Sequence, residues 1–145
     1  MITLPDVNVL IAIAWPEHAF HDVAIAWFDG RADSGWATCP ITESGFMRIS
    51  ANAKVVSNPV TPREAADLLV ELRKVGTHEF WIDDVEPSTS ELLPRDRLTG
   101  HRQVTDAHLL ALSRRRGGSI ATFDRGIQTL ARGLSAATVE LVASP

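Results

Sequence analysis

One cysteine, Cys39, occurs in 145 residues. Thiols can therefore build neither an internal disulfide framework nor a four-ligand zinc site, which suits a reducing compartment. Long apolar runs are missing too. The most apolar stretch, 9–15, is far too short to span a bilayer, and Pro16 and Glu17 close it. The N-terminus lacks the basic region and small-residue cleavage site of a secretory signal, so a cytoplasmic protein is expected. With no repeats, low-complexity tract or linker, the chain is expected to form one domain, 1–145, large enough for a real core. Positive charge is also in deficit. The formal net charge of −4 argues against nucleic-acid binding unless several acids serve another purpose.

What is present alternates. Apolar runs alternate with helix-period segments, which predicts an α/β domain with a largely parallel sheet. Strands are expected at 2–5, 35–38, 79–83, 119–123 and 138–142, and helices at 7–14, 19–32, from about 42, 61–74 and 104–116, with a short one after 124. Thr61, Pro62 and Glu64 open their helix as cap, first residue and acidic partner. Gly117-Gly118 ends the helix before it. The stretch 84–100 is polar and proline-punctuated, and one short helix between loops is expected there. Pro5 cannot donate to a ladder, so it belongs at the end of the first strand.

Four carboxylates then share one address. Asp6 and Asp124 each follow a strand and start a helix; Glu43 and Asp106 each lie in a first helical turn. In a parallel sheet these positions lie along one edge, where open α/β folds place their sites. Glu43 falls on the face of Phe46 and Met47, and Asp106 on that of Leu109 and Leu110. Taken singly, each acid reads as a cap or a dipole partner. Capping, however, does not require an acid to lie on an apolar face, where desolvation would neutralise it unless something positive stood beside it. The sequence places no cluster of Lys or Arg next to these acids, which leaves a divalent cation as the simplest partner. Asn8 can orient Asp6 or hold a bound water, and Thr122 offers a hydroxyl to the same edge. Asp83 and Asp84 read as loop acids.

Together "LPDVNVLIA", "ITESGFMRIS", "VTDAHLLALS" and "ATFDRG" resemble the PIN-domain ribonucleases, and among them the VapC toxins of bacterial toxin–antitoxin pairs. The resemblance implies a three-layer fold, with a mostly parallel sheet of about four to five strands flanked by helices. It also implies RNA phosphodiester hydrolysis at an acidic quartet, which falls on Asp6, Glu43, Asp106 and Asp124, with Asn8 and Thr122 in supporting positions. Mg²⁺ or Mn²⁺ dependence, an RNA substrate, a homodimer and a small antitoxin partner are implied as well. Pro5 departs from the aliphatic residue usual before the first aspartate, and Ile127 from the aromatic common after the last.

Hard Mg²⁺ takes oxygen ligands and keeps several waters, which suits carboxylates without histidine or thiol. With the four site acids set apart, the remaining acids equal the 14 Lys+Arg in number, and the charge objection loses its force. Arg48, Lys54, Arg97, His101 and Arg102 are candidate RNA contacts, with Trp15 or Trp36 as stacking surfaces. Arg114, Arg115 and Arg116 suit a helix C-terminus without any ligand. His18 and His21 read as exposed helix histidines. Two other readings compete. One is a haloacid-dehalogenase-like phosphatase, which would need an acid where Asn8 stands. The other is an inactive metal-binding or interaction module.

Overall fold

The computed structural model describes residues 1–142. Five strands form one parallel sheet: β1 (Thr3–Pro5), β2 (Trp36–Thr38), β3 (His78–Phe80), β4 (Ser119–Thr122) and β5 (Val139–Leu141), in the order β3-β2-β1-β4-β5. Six helices surround it: α1 (Val7–Ala14), α2 (His21–Arg31), α3 (Pro40–Ser50), α4 (Pro62–Leu72), α5 (Gln103–Arg115) and α6 (Arg125–Ala131). Among the described residues no helix is long and apolar enough to cross a membrane.

The three central strands are buried throughout, as expected when helices cover both faces of a parallel sheet. Strand alternation divides their side chains between two cores. Leu4, Ala37 and Ile120 pack with Leu109 and Leu112 of α5 and with Ile127 and Leu130 of α6. Trp36 and Ala121 face the other way, onto Leu10, Phe28, Phe46 and Leu69 of the first four helices. The result is a three-layer α/β/α arrangement.

Connections leave β1 toward β2 and β4 toward β5, in opposite directions. A crevice therefore opens between the C-terminal ends of β1 and β4, the place where such sheets hold their ligands. Pro5 ends β1 opposite Ala121. Thr3 donates to Gly35 on the β2 side and Asp6 donates to Ala121 on the β4 side. By alternation, the N–H that Pro5 lacks would face β2, where the ladder is registered only at Thr3 and Trp36.

Element ends differ from the sequence reading for local reasons. Helix α3 starts at Pro40, before Thr42, because proline is favoured at the first helical position and the Thr42 hydroxyl accepts from the Cys39 N–H at 3.0 Å. Strand β3 ends at Phe80 because Trp81 turns into the α5–α6 core, where it is 3% exposed. The 84–100 segment contributes only a 3-10 turn at Arg95–Arg97. Two glycines set the spacing. A Cβ on Gly45 would lie 2.7 Å from Val7 Cγ2, so its absence lets α3 close on α1. Gly76 has φ +62° and passes so near Ala32 that a Cβ would lie 2.4 Å from the carbonyl oxygen.

Candidate active site

Asp6 caps α1 at the crevice and is 7% exposed. Its Oδ1 accepts from the Val9 N–H at 3.0 Å, and its Oδ2 accepts from the Thr122 hydroxyl at 2.6 Å. The Thr122 oxygen in turn accepts from the Asp124 N–H at 2.9 Å. One hydroxyl thus fixes two acids, carried by neighbouring strands, relative to each other. Asp124 caps α6 through the Gly126 N–H at 2.7 Å and is exposed. Asp106 enters from the first turn of α5 and is half-buried.

The electrostatics link these three aspartates. Burial raises the Asp6 carboxyl above its usual range; the bonds from Thr122 and Val9 oppose that rise, and Asp124 adds to it. Burial also pushes Asp106 up, to about 6, with the Asp6 and Asp124 charges adding to the rise. Among the described residues, no Lys, Arg or His pairs with any of the three.

Glu43 is in different company. Its carboxylate accepts from the Thr38 hydroxyl and from Arg73 Nη1 at 3.2 Å. Thr38 also bonds His78 Nε2 at 2.8 Å. His78 is pushed down to about 4, by burial first and then by the Arg73 charge, so it is neutral near pH 7 and Arg73 is the cation of this group. The sequence reading found no basic partner beside the acids. The structure brings one from the end of α4, thirty residues downstream of Glu43 in sequence. Of the four expected acids, Glu43 is thus the one that pairs with a basic side chain. Among the described residues, no three carboxylate, imidazole or thiol groups stand close enough to enclose an ion. The donor chemistry still fits a hard cation. The donors are oxygens alone, and they carry mutual repulsion that no basic side chain relieves.

Other candidates lie where packing sends them. Asn8 is exposed, and its backbone N–H also favours the charged form of Asp6. Arg48, Lys54, His101 and Arg102 are exposed. Arg97 is tied to the carbonyls of Leu130 and Arg132 at the end of α6. Trp36 is 0% exposed and donates to the Val75 carbonyl, so it offers no stacking surface. Trp15 is half-buried and donates to Ser50. His18 and His21 are half-buried rather than exposed: the first stacks on Phe123, and the second bonds the Ala12 carbonyl. Arg114 reaches the carbonyls of Ser135 and Leu92, and Arg115 pairs with Asp84 at 2.9 Å. Asp83 bonds His108 of α5, a pairing that no sequence spacing announced.

The profile of the PIN domain family matches residues 3–133, and the chain belongs to that family, among its VapC-type members. It is 46% identical over 141 residues to ribonuclease VapC38 of Mycobacterium tuberculosis, spanning 97% of this chain and 98% of that one. It is 44% identical to ribonuclease VapC39 of the same species, over 98% of this chain and all of that one. Two solved structures share the fold. VapBC2 from Rickettsia felis, bound to a DNA fragment from its promoter, superposes with a TM-score of 0.64 at 12% identity, over 97% of this chain and 98% of that one. FitAB bound to an IR36 DNA fragment gives 0.63 at 14%, over 98% and 95%.

Proposed function

We propose that this protein is an endoribonuclease, the toxin of a toxin–antitoxin pair. In this reading it hydrolyses RNA phosphodiester bonds with Mg²⁺ or Mn²⁺ held by Asp6, Asp106 and Asp124. One observation carries the reading: the Thr122 hydroxyl bonds the Asp6 carboxylate and accepts from the Asp124 N–H in the crevice. The Asp6 and Asp124 charges add to the burial that pushes Asp106 up to about 6, and among the described residues no basic side chain pairs with the three. The relatives named ribonuclease support RNA as the substrate class. A bound divalent ion lowers the pKa of water and neutralises charge developing on phosphoryl oxygens.

The chain's own groups divide the remaining work. Asp6 has an oxygen bonded by Val9 and another by Thr122, so its orientation is set before any ligand arrives. Asp106, pushed up to about 6, holds a proton in mildly acidic solution and is ionised near neutrality, where it would be free to hold a cation. Asp124 adds its charge from the exposed rim. Glu43, oriented by Thr38 and Arg73, would contribute to the ion through water. An acid at the Asn8 position would have favoured a phosphatase; the amide there has no proton to give.

The partner reading has support of its own. Trp15 and Val60 line a shelf with Leu68, which is 43% exposed, and Glu64, Asp67 and Glu71 rim it. An apolar helix with basic flanks suits that surface, and an antitoxin would supply one. A homodimer and a cytoplasmic location belong to the same proposal, and light scattering on purified protein tests the first.

The deciding experiment is cleavage of a structured RNA mixture in Mg²⁺, Mn²⁺ or EDTA, with Asp106→Asn alongside. Metal-dependent cutting that disappears in the variant is expected. Equal cutting by both proteins would mean a contaminating nuclease and would overturn the assignment.

A further inference from the structure

Resting on the ribonuclease reading, we propose that Arg73 and Phe80 form a nucleotide subsite beside the carboxylates, in which Phe80 stacks a base of single-stranded RNA and Arg73 holds its phosphate. Phe80 ends β3 in register with Thr38 at the end of β2, so it lies on the sheet edge that carries the acids. It remains 42% exposed, so part of the ring is open to solvent. The Arg73 guanidinium lies over that ring, 5.5 Å from its centroid.

The same guanidinium spends one N–H on Glu43, and among the described residues no other acceptor is recorded for it. A guanidinium has five donors in a planar fork that matches phosphate. Arg73 can therefore take a phosphate while keeping Glu43, which links the subsite to the acids. Two strand spacings, about 10 Å, separate β3 from β1 and its Asp6, within reach of a neighbouring nucleotide. An aromatic face beside an arginine is the usual pairing for unstacked bases. The plainer role, an arginine closing α4 against its dipole, leaves the exposed ring without purpose.

The test is binding of a labelled, random-sequence single-stranded RNA to the Asp106→Asn protein in Mg²⁺, followed by fluorescence anisotropy. In that background Phe80→Ala should weaken binding about ten-fold. Phe80→Leu, still apolar, should not restore it, and Phe80→Trp should. Arg73→Gln should weaken binding and flatten the dependence of log affinity on log salt by about 0.7. Melting curves confirm that each variant is folded. Phe80→Ala and Phe80→Leu proteins that bind as tightly as the parent would overturn the subsite alone. Duplex RNA preferred over single strands would also overturn it. If the parent binds no RNA and the wild type cuts none, the ribonuclease reading falls and takes the subsite with it.

Discussion

Replacing Asp106 with Asn should separate stability from activity. Burial and the charges of Asp6 and Asp124 move this carboxyl from 3.8 to about 6, which amounts to about 3 kcal/mol against its charged form. The group is half-buried, and solvent screening leaves roughly 1–1.5 kcal/mol to reach the folding equilibrium. Because the folded state binds the proton more tightly than the unfolded chain, the cost is present in full above about pH 6. It fades as the pH falls toward 3.8 and is absent below that. Asn removes the charge and forfeits only about 0.3 kcal/mol of interaction with the α5 dipole. In EDTA at neutral pH the variant should therefore melt higher than wild type, by about 2–4 °C, and the gap should close near pH 4. Mn²⁺ at about a hundred times its dissociation constant adds about 2.7 kcal/mol to a protein that binds it. In Mn²⁺ the order should therefore reverse, with wild type melting higher. The assay is a set of thermal melts in EDTA and in Mn²⁺ at two pH values. A lower melting point for the variant in EDTA, or equal gains from Mn²⁺, would refute the account of the cluster.

Thr122→Val leaves Asp6 Oδ2 and the Asp124 N–H without their shared hydroxyl. It should cost about 2 kcal/mol in urea unfolding and most of the RNA cleavage; an unchanged midpoint would mean that the hydroxyl holds neither acid. Gly45→Ala should destabilise by about 1–3 kcal/mol, despite the better helix propensity of alanine, because its Cβ meets Val7. Adding Val7→Ala should recover part of that loss in a double-mutant cycle, and purely additive effects would contradict the contact. Leu68→Asp on the exposed shelf should preserve the fold while reducing co-purification of the protein encoded next to it. Undiminished capture would place the partner elsewhere.

The alternation of apolar runs with helical periods was enough to assign the α/β class, because buried parallel strands and amphipathic helices leave different spacings in sequence. The earlier start of α3 came from local capping at Pro40 and Thr42. The end of β3 followed instead from a tertiary contact, the Trp81 side chain joining a core that other segments build. At the site, strand ends pointed to Asp6 and Asp124 and first helical turns to Glu43 and Asp106, because topology sends such positions to one edge. Partners from distant helices left no comparable signal. Arg73, at the end of an ordinary amphipathic helix, gave no hint that it would hold Glu43. Two tryptophans went separate ways, Trp36 at the start of a buried strand under the helices and Trp15 past the end of α1 on the shelf.

The hydrogen bond from Thr122 to Asp6 spans 116 residues of sequence. In the proposed reading, this makes the timing of synthesis a safeguard. A ribosome makes Thr122 long after Asp6, so shorter products of interrupted translation lack the bonded pair. Non-local contacts of this kind also form late in folding. In that reading, cleavage can begin only after Asp6 has met the far segment that carries Thr122.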